Sequence, residues 1–197
     1  LVTNNEKVNR LLGGGIGTFR LWNNDNNGLS LYVRGGVDQY TLETRSIFPR
    51  ELQFQKDGNG TNGASIRSVA VSRGANVAAF LIHTLSTDND LSFRSQAGVT
   101  QENLEQDYTN AVATQLIGAQ TNLNQAGSIQ VNQNRLEQVD KGFFVQEEVN
   151  FQDMVIFTAG LRGDKSSRNG DANKLYYYPK ASVALNVHEM TSLGNTV

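Results

Sequence analysis

At 197 residues, with Lys+Arg 17 against Asp+Glu 19, the chain carries a net charge of -2 and no cysteine. That balance excludes the basic footprint of a nucleic-acid binder, and the missing thiols exclude disulfide scaffolds, thiolate metal sites and cysteine nucleophiles. No run approaches the ~18 apolar residues of a transmembrane helix, whereas membrane-crossing β-strands alternate and stay polar on average.

In chain order, RLLGGGIGTFRLW (10–22) predicts a first strand that stops at NNDNNG, a cluster of turn formers. LSLYVRGGVDQYTLETR (29–45) alternates, with Leu29, Leu31, Val33 and Val37 on one face and Tyr32, Arg34, Asp38 and Tyr40 on the other. A polar stretch at 46–65 leads to IRSVAVSRGANVAAFLIHTL (66–85), whose two faces are both largely apolar, so its orientation stays open. After STDND, LSFRSQAGVTQEN (91–103) separates Leu91, Phe93, Ala97 and Val99 from Arg94, Gln96 and Glu102. Residues 104–128 are expected to form a long loop, with NAVATQLIGAQ as a short helix. IQVNQNRLEQVDKGFFVQEEVNF (129–151), its paired part starting at 135, turns at Gln152 and Asp153 into a strand over 154–164. There Val155, Phe157, Ala159 and Leu161 oppose Thr158, Arg162 and Asp164. The last strand spans 176–188 and sets Ala181, Val183, Leu185 and Val187 against Ser182, Ala184, Asn186 and His188.

Short connections at 23–28, 86–90 and 152–153 alternate with longer ones at 46–65, 104–128 and 165–174, so all the short turns fall at one end of an up-and-down sheet. Strands of about 12 to 20 residues exceed the ~5–6 typical of globular sheets and the ~9–11 that a tilted membrane strand needs. Length and loop asymmetry together predict an all-β fold, an antiparallel up-and-down meander of about seven strands in the wall of a transmembrane β-barrel. Its apolar faces then meet lipid and its polar faces line a lumen. The lumen-lining candidates are Arg34, Asp38, Arg94, Gln146, Glu148, Arg162 and Asp164. The alternative is a secreted or surface β-sandwich, a glycan-binding module whose apolar face meets a second sheet. Glu147 tests the lipid assignment, because it shares parity with Phe143, Val145, Val149 and Phe151. Either it lies near an interface or a bulge shifts the parity.

NNDNNG sets Asn23, Asp25, Asn27 and Gly28 at the spacing of a calcium loop, but Arg34 stands where an EF-hand needs its bidentate Glu. The segment reads as a turn. GGGIG (13–17) lies within a strand pattern and lacks the Gly-Lys-Ser/Thr of a phosphate loop; small residues there leave room inside a barrel. His83 and His188 are the only histidines and stand far apart in sequence, so no histidine metal cluster is expected. No nucleophile–base set accompanies the acidic residues, and no enzymatic activity, cofactor or metal is predicted. Trp22 and the tyrosines Tyr176, Tyr177 and Tyr178 are placed as aromatic girdles at opposite rims.

GFFVQEEVNFQDMVIFTAGLRGDKSSRNGDANKLYYYPKASVALNV (142–187) resembles the barrel of TonB-dependent outer-membrane receptors. FVQEE on one strand, the QDM turn, TAGLRGD on the next, the SSRNG loop and YYYPKAS leading back carry the likeness. It is most similar to the large importers that partner a surface lipoprotein in glycan uptake. The resemblance implies the bacterial outer membrane and contact with its lipid. It further implies energy from the TonB machinery through a plug domain, and a surface lipoprotein partner. The cargo would be a bulky nutrient, a glycan or oligosaccharide or else a siderophore. Against a whole family member of about 22 strands, residues 1–197 are expected to form a partial barrel without the plug.

Overall fold

The computed structural model of the protein describes residues 2–52 and 60–187. It contains β1 (Thr3–Asn24), β2 (Asn27–Phe48), β3 (Ala64–Ser86), β4 (Leu91–Leu116), β5 (Ala126–Phe151), β6 (Val155–Ser166) and β7 (Tyr176–Leu185). These form one antiparallel sheet in the order β1-β2-β3-β4-β5-β6-β7, so each strand bonds only to its sequence neighbours. No second, stacked sheet occurs among the described residues, which sets the sandwich alternative aside.

Local chemistry accounts for the tight hairpins. Gln152 and Asp153 both take left-handed conformations (φ 53 and 55), and Met154 N–H closes the turn on Phe151 O at 3.0 Å. Positive φ at both central residues gives a turn whose twist matches that of the strands it joins. Asp90 (φ 53) does the same work between β3 and β4, a conformation that Asp tolerates better than most residues.

The chain forms two compact units. The loop unit holds Leu1–Gly13, Val37–Gly74 and Leu104–Glu137, and so contains the β2–β3 and β4–β5 loops. The turn unit holds Gly14–Gly36, Ala75–Asn103 and Gln138–Val197, and contains all three short turns and the β6–β7 loop. Burial in the loop unit centres on Ala64, Ser65, Ala113 and Leu116, with Ser65 Oγ donating to Thr121 O at 2.9 Å.

Three expectations need correction. Residues 104–116 are not a loop with a helix: β4 runs on to Leu116, leaving only 117–125 as the connection. Ala, Leu and Gln in NAVATQLIGAQ favour a helix locally, but neighbouring strands offer ladder hydrogen bonds, and Ser68 Oγ donates across to Asn110 Oδ1 at 2.8 Å. Tertiary pairing overrides propensity here. β1 likewise starts at Thr3, not at residue 10, and the β2–β3 connection shrinks to 49–63 as both strands extend. His188 and the middle of the 46–65 stretch lie outside the described residues.

Candidate functional site

The β5–β6–β7 ladder fixes which side chains share a face. β5 pairs with β6 from Asp140↔Ser166 to Phe151↔Val155 without a break in register, and β6 with β7 from Val155↔Leu185 to Asp164↔Tyr176. Residues directly opposite one another point the same way. One face therefore carries Val145, Leu161 and Pro179 in one row, then Val149, Phe157 and Val183 in another. The opposite face carries Phe144, Arg162 and Tyr178, then Gln146, Gly160 and Lys180, then Glu148, Thr158 and Ser182.

Phe144 ties this polar face to the other strands of the turn unit. Tyr32 and Phe80 stack with centroids 5.3 Å apart and planes 6° apart, and Phe80 meets Phe144 at 6.2 Å and 52°. Gly98 lies beneath the row: a Cβ there would stand 2.5 Å from Phe80 Cβ and 2.8 Å from the Phe144 ring. Only glycine lets the two rings close over β4. Arg34, two residues from Tyr32, and Arg94, four from Gly98, share this face by strand alternation.

Of the seven lumen candidates, Arg34, Arg94, Gln146, Glu148, Arg162 and Asp164 thus lie on one face of the turn unit. Arg162 Nε donates to Asp164 Oδ2 at 2.7 Å, and Lys180 Nζ donates to Gln146 Oε1. The result is a stacking row of aromatics with a mixed-charge fringe. Such a face can hold a polar solute by hydrogen bonds and ring contact. Asp38, the seventh, belongs to the loop unit, where Arg10 grips it through two nitrogens at 2.9 and 2.6 Å. The hydrogen bond from that guanidinium holds the Asp38 carboxyl below the usual carboxylate range.

The unbroken register removes one of the two alternatives for Glu147, the bulge. The register carries no bulge, so its side chain leaves the apolar face opposite Ala159, with Ala181 beyond. The tyrosine run needs correction, because consecutive strand residues alternate. Tyr177 lies on the apolar face, its ring 6.3 Å from Phe143, while Tyr176 and Tyr178 share the face of Asp164 and Arg162. Only one of the three can belong to an outward girdle. The aromatic row itself escaped the sequence reading. Tyr32 already had the parity of Arg34, but pairing it with Phe80 needed the face of β3, which its apolar sequence hides.

The loop unit offers a second polar feature, a recess of about 630 Å3 lined by Glu6, Lys7, Glu43, Arg45, Arg67 and Thr121, among others. Arg45 Nη2 donates to Thr121 Oγ1 at 3.2 Å, and Arg67 lies 3.8 Å from Glu43. Among the described residues no group of three His, Asp or Glu side chains could hold a metal ion.

No protein-family model and no curated protein matches the sequence. Solved structures do match the fold. The RagAB peptide transporter superposes with a TM-score of 0.76 at 15% identity, over 95% of this chain and 21% of that one. The RagAB peptide importer gives 0.69 at 17% in its open-open state (93% and 20% covered), and 0.65 at 16% in its closed-closed state (96% and 21%). The chain spans about a fifth of the length of these transporters. Its fold is that of a segment of an outer-membrane transporter β-barrel.

Proposed function

We propose that the chain is part of the wall of a TonB-dependent importer in the bacterial outer membrane, whose plug and remaining strands belong to a longer protein. The observation that carries this reading is the contrast between the two faces of the turn unit. Phe157, Val183 and Leu185 are 45%, 60% and 60% exposed on one face, while charges and amides gather on the other. Hydrocarbon on one side and a wet lumen on the other satisfy both faces at once. The role is transport and not catalysis: energy would come from TonB acting through the plug, and a surface lipoprotein would help to deliver the cargo.

The cargo is a bulky solute. Likeness to peptide transporters adds an oligopeptide to the glycan or siderophore implied by the resemblance at 142–187. The polar face of the turn unit favours the peptide, because Arg34, Arg94, Arg162 and Lys180 beside Glu148 and Asp164 offer both signs of charge to a zwitterion. Growth on a defined oligopeptide or oligosaccharide as sole carbon source, in cells carrying the intact receptor, tests the reading. Growth on the peptide should fall on Arg34→Ala with Arg94→Ala. Unchanged growth on peptide and lost growth on the glycan would reverse the assignment.

A further inference from the structure

Two lysines close the apolar face of the turn unit at the end away from its short turns. Lys141 and Lys165 are register partners, so their stems leave adjacent strands on the face that carries Phe143, Val145 and Leu161. From Lys141 to Phe151 on β5, and from Val155 to Lys165 on β6, the ladder covers eleven residues, and a tilted strand needs ~9–11 to cross hydrocarbon. The ammonium pair therefore stands one membrane span from the β5–β6 turn. Short turns mark the periplasmic end of such barrels, which puts the lysines at the outer surface of the bilayer.

Like charges directly opposite one another weaken a strand pair, and among the described residues neither lysine forms an ion pair. Lys165 Nζ donates to Asn173 Oδ1 at 3.1 Å, a neutral acceptor. Beside both lysines opens a groove of about 520 Å3, walled by Val77, Val99, Phe143 and Leu175, and among the described residues no acidic side chain lines it. A cationic rim over an apolar trough matches an anionic amphiphile.

We infer that this face binds a membrane lipid bearing a phosphate monoester, with the headgroup between Lys141 and Lys165 and an acyl chain in the groove. A monoester carries about -1.5 to -2 at pH 7, which two ammonium groups balance, and lysine serves phosphate as a point charge. The inference rests on the membrane orientation proposed above.

Native mass spectrometry of the intact receptor, titrated with phosphatidic acid or with phosphatidylcholine of the same chains, tests it. Phosphatidic acid should be retained at about tenfold lower concentration, as charge-assisted bonds to the monoester predict. That preference should vanish in Lys141→Ala/Lys165→Ala and survive in Lys141→Arg/Lys165→Arg. Inorganic phosphate at equal concentration should not displace the lipid, since it has nothing to place in the groove; displacement would overturn the lipid assignment. Membrane insertion, read as heat-modifiable gel migration, separates the two levels of the reading. A receptor that inserts but shows no lysine-dependent preference overturns the lipid inference alone. One that does not insert overturns the membrane reading, and this inference falls with it.

Discussion

The same strands meet two different demands in the two units. In the turn unit one face is a field of exposed Val, Leu and Phe and the other a polar face with an aromatic row. In the loop unit small residues are buried under the connections, and ion pairs such as Arg73–Glu105 (3.4 Å) and Arg135–Asp107 (2.7 Å) cross between strands. Exposed pairs of that kind contribute little to stability, because solvent screens them and holding two long side chains together costs entropy. A sheet whose alternation follows the surrounding medium, and not a packed interior, is what a barrel wall requires. The contrast teaches that the medium can be read from alternation along one strand.

Charge on the apolar face should break this contrast most severely. Phe157→Arg should cost about 2–4 kcal/mol if it sits near the bilayer midplane, whereas Thr158→Arg, whose register partner is Glu148, should be tolerated. Denaturant unfolding in lipid vesicles checks both, and equal losses would remove the distinction between the faces. Next in size is Gly98→Val, where the added carbons meet Phe80, Phe144 and Ala79 O. Overpacking of this kind typically costs about 1–3 kcal/mol, while Gly15→Ala, with nothing within 4 Å of a new Cβ, should leave stability unchanged. Glu147→Leu runs the other way: removing a carboxylate from the lipid face should stabilise the inserted form by about 1 kcal/mol. Destabilisation there would mean that something other than lipid covers the site.

The smallest effect belongs to the loop unit. Hydrogen bonds from Gln133, and then from Arg135, hold the Asp107 carboxyl below its ordinary value. A depressed carboxylate stabilises the fold above its unfolded pKa, and that contribution is lost as pH falls through the folded pKa. Gln133→Ala with Arg135→Ala should raise the carboxyl titration back toward the ordinary carboxylate range, followed by NMR, with no change in turn-unit insertion. A shift that also altered insertion would tie the units together energetically.

Most of the architecture was legible because period-two alternation and turn chemistry are local signals. Gln152 and Asp153 fixed the β5–β6 hairpin, and with it the parity of Gln146, Glu148, Arg162 and Asp164. The aromatic row was hidden because Phe80 sits in a strand that is apolar on both faces, where alternation says nothing. The extension of β4 to Leu116 was hidden for a different reason. Its residues favour a helix on their own, and only the strands beside them supply the partners that make an extended chain the better state.

Bonding only between sequence neighbours makes this wall additive. Barrel diameter grows roughly in step with strand number, and strands inserted in pairs preserve the up-and-down alternation of direction. Duplicating a hairpin such as β3–β4 would therefore widen the bore by one increment while leaving the Phe144–Arg162–Tyr178 alignment elsewhere untouched. Gene duplication and loss can in this way retune the calibre of such a channel without redesigning any strand that is already in place.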